Sequence, residues 1–171
     1  MLSSIVSRAR LLTVLLVALL FSASLAIAPQ AADAAVKKPL DIVKVYYDPP
    51  GKDYAKNSLF TKEYIQVKNT GKSTLTLTGY VLRDSGPKKF AFPKGTKLKA
   101  GKTLTIRTGK GKNTASTLYW NNKGYVWNNT GDTARTYTNK GKLIESCTYK
   151  GGTHKKATKT TVRTTKTTAY C

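Results

Sequence analysis

The chain has 171 residues, with 30 Lys or Arg against 8 Asp or Glu, a formal charge of +22 and one histidine. A serine triad needs a histidine beside a nucleophile and an orienting carboxylate, a glycosidase two carboxyl groups across a cleft, and a zinc site clustered Cys and His. The one histidine, His154, lies beside lysines in a low-complexity stretch, acids such as Asp48, Asp84 and Asp132 sit at turns, and neither cysteine belongs to a C-x-x-C pair. So no catalytic, cofactor-binding or metal-ligating residue is assigned, while the charge favours solubility and contact with polyanions.

Arg8 and Arg10 precede an uncharged apolar run from Leu11 to Ala28, and Ala32 and Ala34 then fit the small-x-small pattern of signal peptidase. Residues 1–35 are expected to be a cleaved signal peptide. The competing reading is an uncleaved anchor, because the run is long enough to span a bilayer; the small-residue exit favours cleavage. Ala9 separates the two arginines, so the twin-arginine signal is missing. The expected product is secreted and extracellular, with cell-wall association as an option and no stable membrane insertion. What remains is one domain's worth of chain.

Asp41 to Tyr47 is rich in β-branched and aromatic residues and predicts a first strand, stopped by Asp48-Pro49-Pro50-Gly51. After a polar loop through Asp53 and Asn57, Ile65 and Val67 share one face and Tyr64, Gln66 and Lys68 the other. Asn69-Thr70-Gly71 turns the chain. Leu75 and Leu77 begin a third strand, which Gly79 interrupts as a bulge or close approach before Tyr80 and Leu82 resume an inward row. Phe90 and Phe92 alternate up to Pro93, and Leu104 and Ile106 alternate with Thr103, Thr105 and Arg107. Ala134 to Tyr137 and Leu143 to Tyr149 close the series. Turn signals at short intervals and no helical period after the leader predict an all-β sandwich over residues 36–149.

Residues 150–171 differ in kind. The segment is threonine-rich and basic, without acids, and has too little apolar surface to offset its ordering entropy. It reads as a mobile basic arm. Cys147 and Cys171 are the two cysteines; in an oxidising compartment an even count predicts a bridge, which would tie the arm back to the sheet.

Four further features have bland readings beside sharper ones. His154, between Thr153 and Lys155, reads as a solvated side chain. Gly109-Lys110-Gly111-Lys112 lacks the spacing and helix of a phosphate loop and reads as a basic hairpin tip. Asp48, Asp84 and Asp132 sit at turns, where Asp accepts from local backbone. Tyr119, Trp120, Tyr125 and Trp127 are either a stacking surface for sugars or bases or core; the need of a small sandwich for large residues favours core.

Several segments, in their order, resemble the lamin-tail domain family: Tyr46-Tyr47-Asp48-Pro49-Pro50, Glu63-Tyr64-Ile65-Gln66-Val67-Lys68-Asn69-Thr70-Gly71, Leu77 to Asp84, Phe90 to Pro93, and Val126 to Ala134. Tyr80 stands where that family usually has an apolar aromatic. The resemblance implies an immunoglobulin-like β-sandwich, a non-enzymatic binding or adaptor role, and no transferable catalytic residues.

Two functions follow as expectations. One is a secreted or wall-associated module that holds wall polymers, acidic polysaccharide or nucleic acid by charge. Its candidate residues are Lys110, Lys112, Lys150, Lys155, Lys156, Lys159, Arg163 and Lys166. The other is a structural module that docks a protein partner, with the charge incidental. Lysines gathered on one face favour the first, and an even spread favours the second.

Overall fold

The computed structural model describes residues 39–152 and 167–171. The expected signal peptide and five basic candidates (Lys155, Lys156, Lys159, Arg163, Lys166), together with His154, lie outside them. Among the described residues no helix is long and apolar enough to cross a membrane.

The strands are β1 (Leu40–Tyr46), β2 (Tyr64–Asn69), β3 (Leu75–Thr76), β4 (Val81–Arg83), β5 (Lys89–Ala91), β6 (Lys97–Leu98), β7 (Thr103–Arg107), β8 (Thr117–Tyr119), β9 (Gly131–Tyr137), β10 (Leu143–Lys150) and β11 (Thr168–Tyr170), with one helical turn, α1 (Asn57–Phe60). A five-stranded sheet has the order β11-β1-β2-β7-β8, a four-stranded sheet the order β10-β9-β4-β5, and β3 pairs with β6. This is the expected β-sandwich of immunoglobulin-like type.

Alternation puts one side of each strand in the core. Ile42, Val45, Ile65, Val67, Leu104 and Ile106 are buried from the five-stranded sheet, and Leu82, Phe90, Ala134, Ile144 and Tyr149 from the four-stranded one. Removing any one of the larger aliphatics would leave a cavity and cost about 2–5 kcal/mol. Tyr47 and Tyr149, one from each side, stack with centroids 4.3 Å apart.

The single strand expected from Leu75 to Leu82 is two strands in two sheets. Gly79, at φ +75°, sits at the corner, where the Tyr80 amide donates to the Leu77 carbonyl (2.9 Å). A positive φ favours glycine, so the break in propensity marks a change of sheet rather than a bulge within one. The loop after Arg107 is no hairpin tip: β7 and β8 are parallel, and residues 108–116 return the chain to the start of β8. Its glycines serve packing. A Cβ on Gly109 would lie 2.7 Å from Asn57 Oδ1, and one on Gly111 would lie 2.2 Å from the Tyr119 ring.

The end of the segment read as an arm is part of the sandwich. Thr168–Tyr170 pairs antiparallel with Lys44–Tyr46, and Ala169 packs against the core. Backbone pairing and a covalent tie order it where apolar burial alone does not. β11 covers only that half of the β1 edge; in the other half the Ile42 amide donates to Glu145 Oε2 of β10.

Candidate functional site

The polar interior centres on Glu63, which is fully buried just before β2. Its Oε1 accepts from the Thr108 hydroxyl (2.7 Å), the Val126 amide (2.8 Å) and the Trp127 amide (3.0 Å). Burial pushes its carboxyl up to about 7, against the opposing pull of these hydrogen bonds and of Lys88. One side chain thus fixes the irregular stretch between β8 and β9 to the start of β2. This carboxylate is structural: its acceptor atoms face backbone and a threonine, not a cleft.

The other acids behave alike. Asp84 accepts from the Lys88 amide (3.0 Å), and burial raises its carboxyl above the usual range. Asp132 accepts from the amides of Ser85, Asn128 and Thr133, joining the loop after β4 to its own turn. Asp48 and Asp53 both accept from Asn129 Nδ2, at 3.2 and 3.1 Å. Asp41 accepts from the Thr70 hydroxyl. The turn-capping role expected for Asp84 and Asp132 holds; Asp48 instead receives a distant side chain.

Cys147 of β10 and Cys171, just after β11, form a disulfide with Cα atoms 5.9 Å apart. It links the two sheets at their shared edge. Of the candidate cations, Lys110 and Lys112 are exposed on the β7–β8 connection, and Lys150 is exposed at the end of β10. Lys110 is placed by backbone, its N–H donating to Asn57 Oδ1 (2.6 Å) and its carbonyl accepting from Asn57 Nδ2 (3.0 Å).

The aromatic group splits. Trp127 is 1 % exposed, and Trp120 packs edge-on against it with centroids 6.0 Å apart. Tyr125 meets Phe60 of α1 edge-on at 5.0 Å. Tyr119 instead stands on the outer face of β8.

That outer face holds a set of residues that spacing in sequence conceals. Register places Thr168, Tyr46, Tyr64, Arg107 and Tyr119 in one row across five strands, with Tyr170, Lys44 and Gln66 in the next. The Lys44 ammonium lies 5.8, 5.4 and 5.8 Å from the ring centroids of Tyr46, Tyr64 and Tyr170. A side-chain hydrogen bond to Tyr64 is the main reason that its pKa is raised. Arg107 lies 5.6 Å from the Tyr64 ring. The period-two alternation of β1, β2 and β7 marks these residues as outward, but only the pairing of strands shows that they meet.

No curated protein matches the chain. A family model, the Lamin Tail Domain, matches residues 33–151. The matched span ends directly after β10, so β11 and Cys171 lie beyond it. Glu63, Tyr64 to Gly71 and the stretch Val126 to Ala134, which Glu63 holds in place, all fall within it. By that match, over most of its length, the chain belongs to the lamin tail domain family.

Proposed function

We propose that this protein is a non-enzymatic, secreted binding module that holds anionic polymers by charge. The observation that supports the reading is how the charges are sorted. Of the 8 acids in the sequence, every one beyond Asp33 accepts an internal hydrogen bond. The cations stay on the surface, as at Lys52, Lys89, Lys110, Lys112 and Lys150. Because Asp48, Glu63, Asp84 and Asp132 are buried, the exterior is more one-sided than the composition alone requires, and such a field attracts polyanions over a Debye length. The fold is of a non-catalytic module type, and the acids are engaged in holding it together.

The test is a titration of the mature protein with duplex DNA at about 50 and 200 mM salt, where displacement of several counterions predicts at least a tenfold weakening. Replacing Lys150, Lys155, Lys156, Lys159, Arg163 and Lys166 by Gln should weaken binding and flatten its salt dependence. Binding absent at low salt, or equal at both, would overturn the proposal.

A second reading, docking of a protein partner with the charge incidental, draws on the spread of the lysines. Lys72, Lys94 and Lys140 lie in turns at one end of the sandwich, and Lys52, Lys110 and Lys123 in loops at the other. The salt titration separates the two readings.

A further inference from the structure

On the outer face of the four-stranded sheet three cations stand side by side. Lys89 of β5 is the cross-strand partner of Arg83 of β4, and Arg83 is the partner of Arg135 of β9. Their neighbours Leu82, Phe90, Ala134 and Thr136 are buried on the other side, so alternation turns all three outward. Lys89 and Arg83 are exposed and Arg135 is half-buried. Like charges directly opposite one another in a sheet repel and are destabilising. The nearby acids do not relieve this. Asp84 and Asp132 are buried and accept from backbone amides, and Glu145 reaches across to the Ile42 amide.

The surroundings orient the row. The Arg83 guanidinium lies 5.8 Å from the ring centroid of Tyr137, two residues from Arg135 on β9. Ser146 of β10 extends the row beyond Arg135, and the paired Thr133 and Thr148 place two hydroxyls 3.0 Å apart on the same face.

We propose that this ladder binds an acidic polysaccharide carrying one carboxylate per sugar ring, with its chain crossing the strands. The inference rests on the polyanion reading above and gives it a place and a ligand class. Neighbouring strands lie about 4.8 Å apart, close to the length of one pyranose ring in a chain. A chain laid across β5, β4 and β9 therefore advances by one ring per strand, and the carboxylates on its sheet-facing side meet the cation row. The planar fork of arginine matches a carboxylate with two parallel hydrogen bonds. The hydroxyls of Ser146, Thr133 and Thr148 continue the face with donors and acceptors suited to sugar hydroxyls. Single-stranded nucleic acid adds base stacking on aromatic rings to its phosphate contacts, and such stacking is disfavoured here because Tyr137 already carries a guanidinium against its ring.

Calorimetric titration of the mature protein with polygalacturonate at about 50 mM salt tests this. Replacing Arg83 and Arg135 together by Gln should weaken binding roughly tenfold or more, the scale expected for losing close charge pairs. K97Q/K140Q removes the same charge elsewhere and should change binding less than about twofold. R83K/R135K keeps the charge without the fork and should fall between them. Fully methyl-esterified polymer should not bind. Urea unfolding of each variant separates lost binding from lost fold. Equal losses in R83Q/R135Q and K97Q/K140Q would overturn the ladder while leaving the polyanion reading intact. Tighter binding of oligothymidylate, lost in R83Q/R135Q, would overturn the polysaccharide in favour of nucleic acid. No binding of either polymer by the unsubstituted protein would overturn both the ladder and the reading beneath it.

Discussion

The interior near Glu63 and the outer sheet faces hold their charges by opposite rules. Inside, carboxylates accept from backbone amides of their own turn or of distant segments, so a single group such as Glu63 ties the start of β2 to the stretch between β8 and β9. On the outer sheet faces, Lys44, Arg83, Arg107 and Arg135 stand on strands that pair on both sides with their neighbours. Charge inside therefore carries the fold, whereas the exposed Lys89 and Arg83 are turned to solvent, where a ligand can meet them. The two outer faces differ in turn. On the five-stranded sheet Lys44 and Arg107 lie against tyrosine rings; on the four-stranded sheet Arg83 and Arg135 lie against each other.

The sharpest way to break the comparison is inside. Glu63→Ala leaves the Thr108 hydroxyl and the Val126 and Trp127 amides without their acceptor. At about 1–3 kcal/mol for each unsatisfied buried group, a loss of about 4 kcal/mol in urea unfolding is expected. Glu63→Gln keeps an acceptor oxygen and should cost about 1 kcal/mol.

The pH dependence follows from the same residue. Its folded pKa of about 7 lies above the unfolded 4.5, so the folded state holds the proton more tightly. Its stabilising effect is complete below about pH 4.5 and is lost as pH rises to about 7, a change of about 3 kcal/mol. Unfolding followed from pH 4.5 to 8 should show this decline, and E63Q should remove it. A decline of equal size in E63Q would assign the titration to another group.

Replacing both Cys147 and Cys171 by Ser removes a cross-link over a separation of 24 residues, and should cost about 3 kcal/mol in the chain-entropy model. Amide exchange should then quicken at Lys44 to Tyr46, where β11 pairs. Unchanged exchange there would show that pairing alone holds the strand.

The smallest effects distinguish the two faces by sign. Arg135→Gln relieves an opposed like charge and should stabilise the fold by up to about 0.5 kcal/mol. Lys44→Gln removes contacts with three tyrosine rings and should destabilise it by about 0.5 kcal/mol. Chemical denaturation of the two variants side by side decides the matter, and a shared sign would erase the distinction.

Much of the fold was legible in alternation and turn residues. Ile65 with Val67, Phe90 with Phe92 and Leu104 with Ile106 all face inward as their spacing predicts. Gly79 was legible as a break, but not as a change of sheet, since a positive φ has the same sequence mark in a bulge and in a corner. β8 and β11 have three residues each, too few for alternation to register, and α1 is a single turn anchored by Phe60. The disulfide followed from the count of cysteines. The Lys89–Arg83–Arg135 ladder did not, because its members are neighbours only through the pairing of β5, β4 and β9. Nothing in the local sequence around Glu63 marks it as fully buried; its partners lie 45 to 64 positions away.

The bond between Cys147 and Cys171 also changes what a protease can accomplish here. The stretch between them contains Lys150, Lys155, Lys156, Lys159, Arg163 and Lys166, each a cleavage point for a trypsin-like enzyme. In a linear tail the first cut would shed the remainder. Here a cut anywhere between the two cysteines yields two chains that stay joined, with Tyr170 still covalently held beside β1. Clipped and intact forms would migrate together until a reductant is added, and the domain would carry nicks there without forfeiting its last strand.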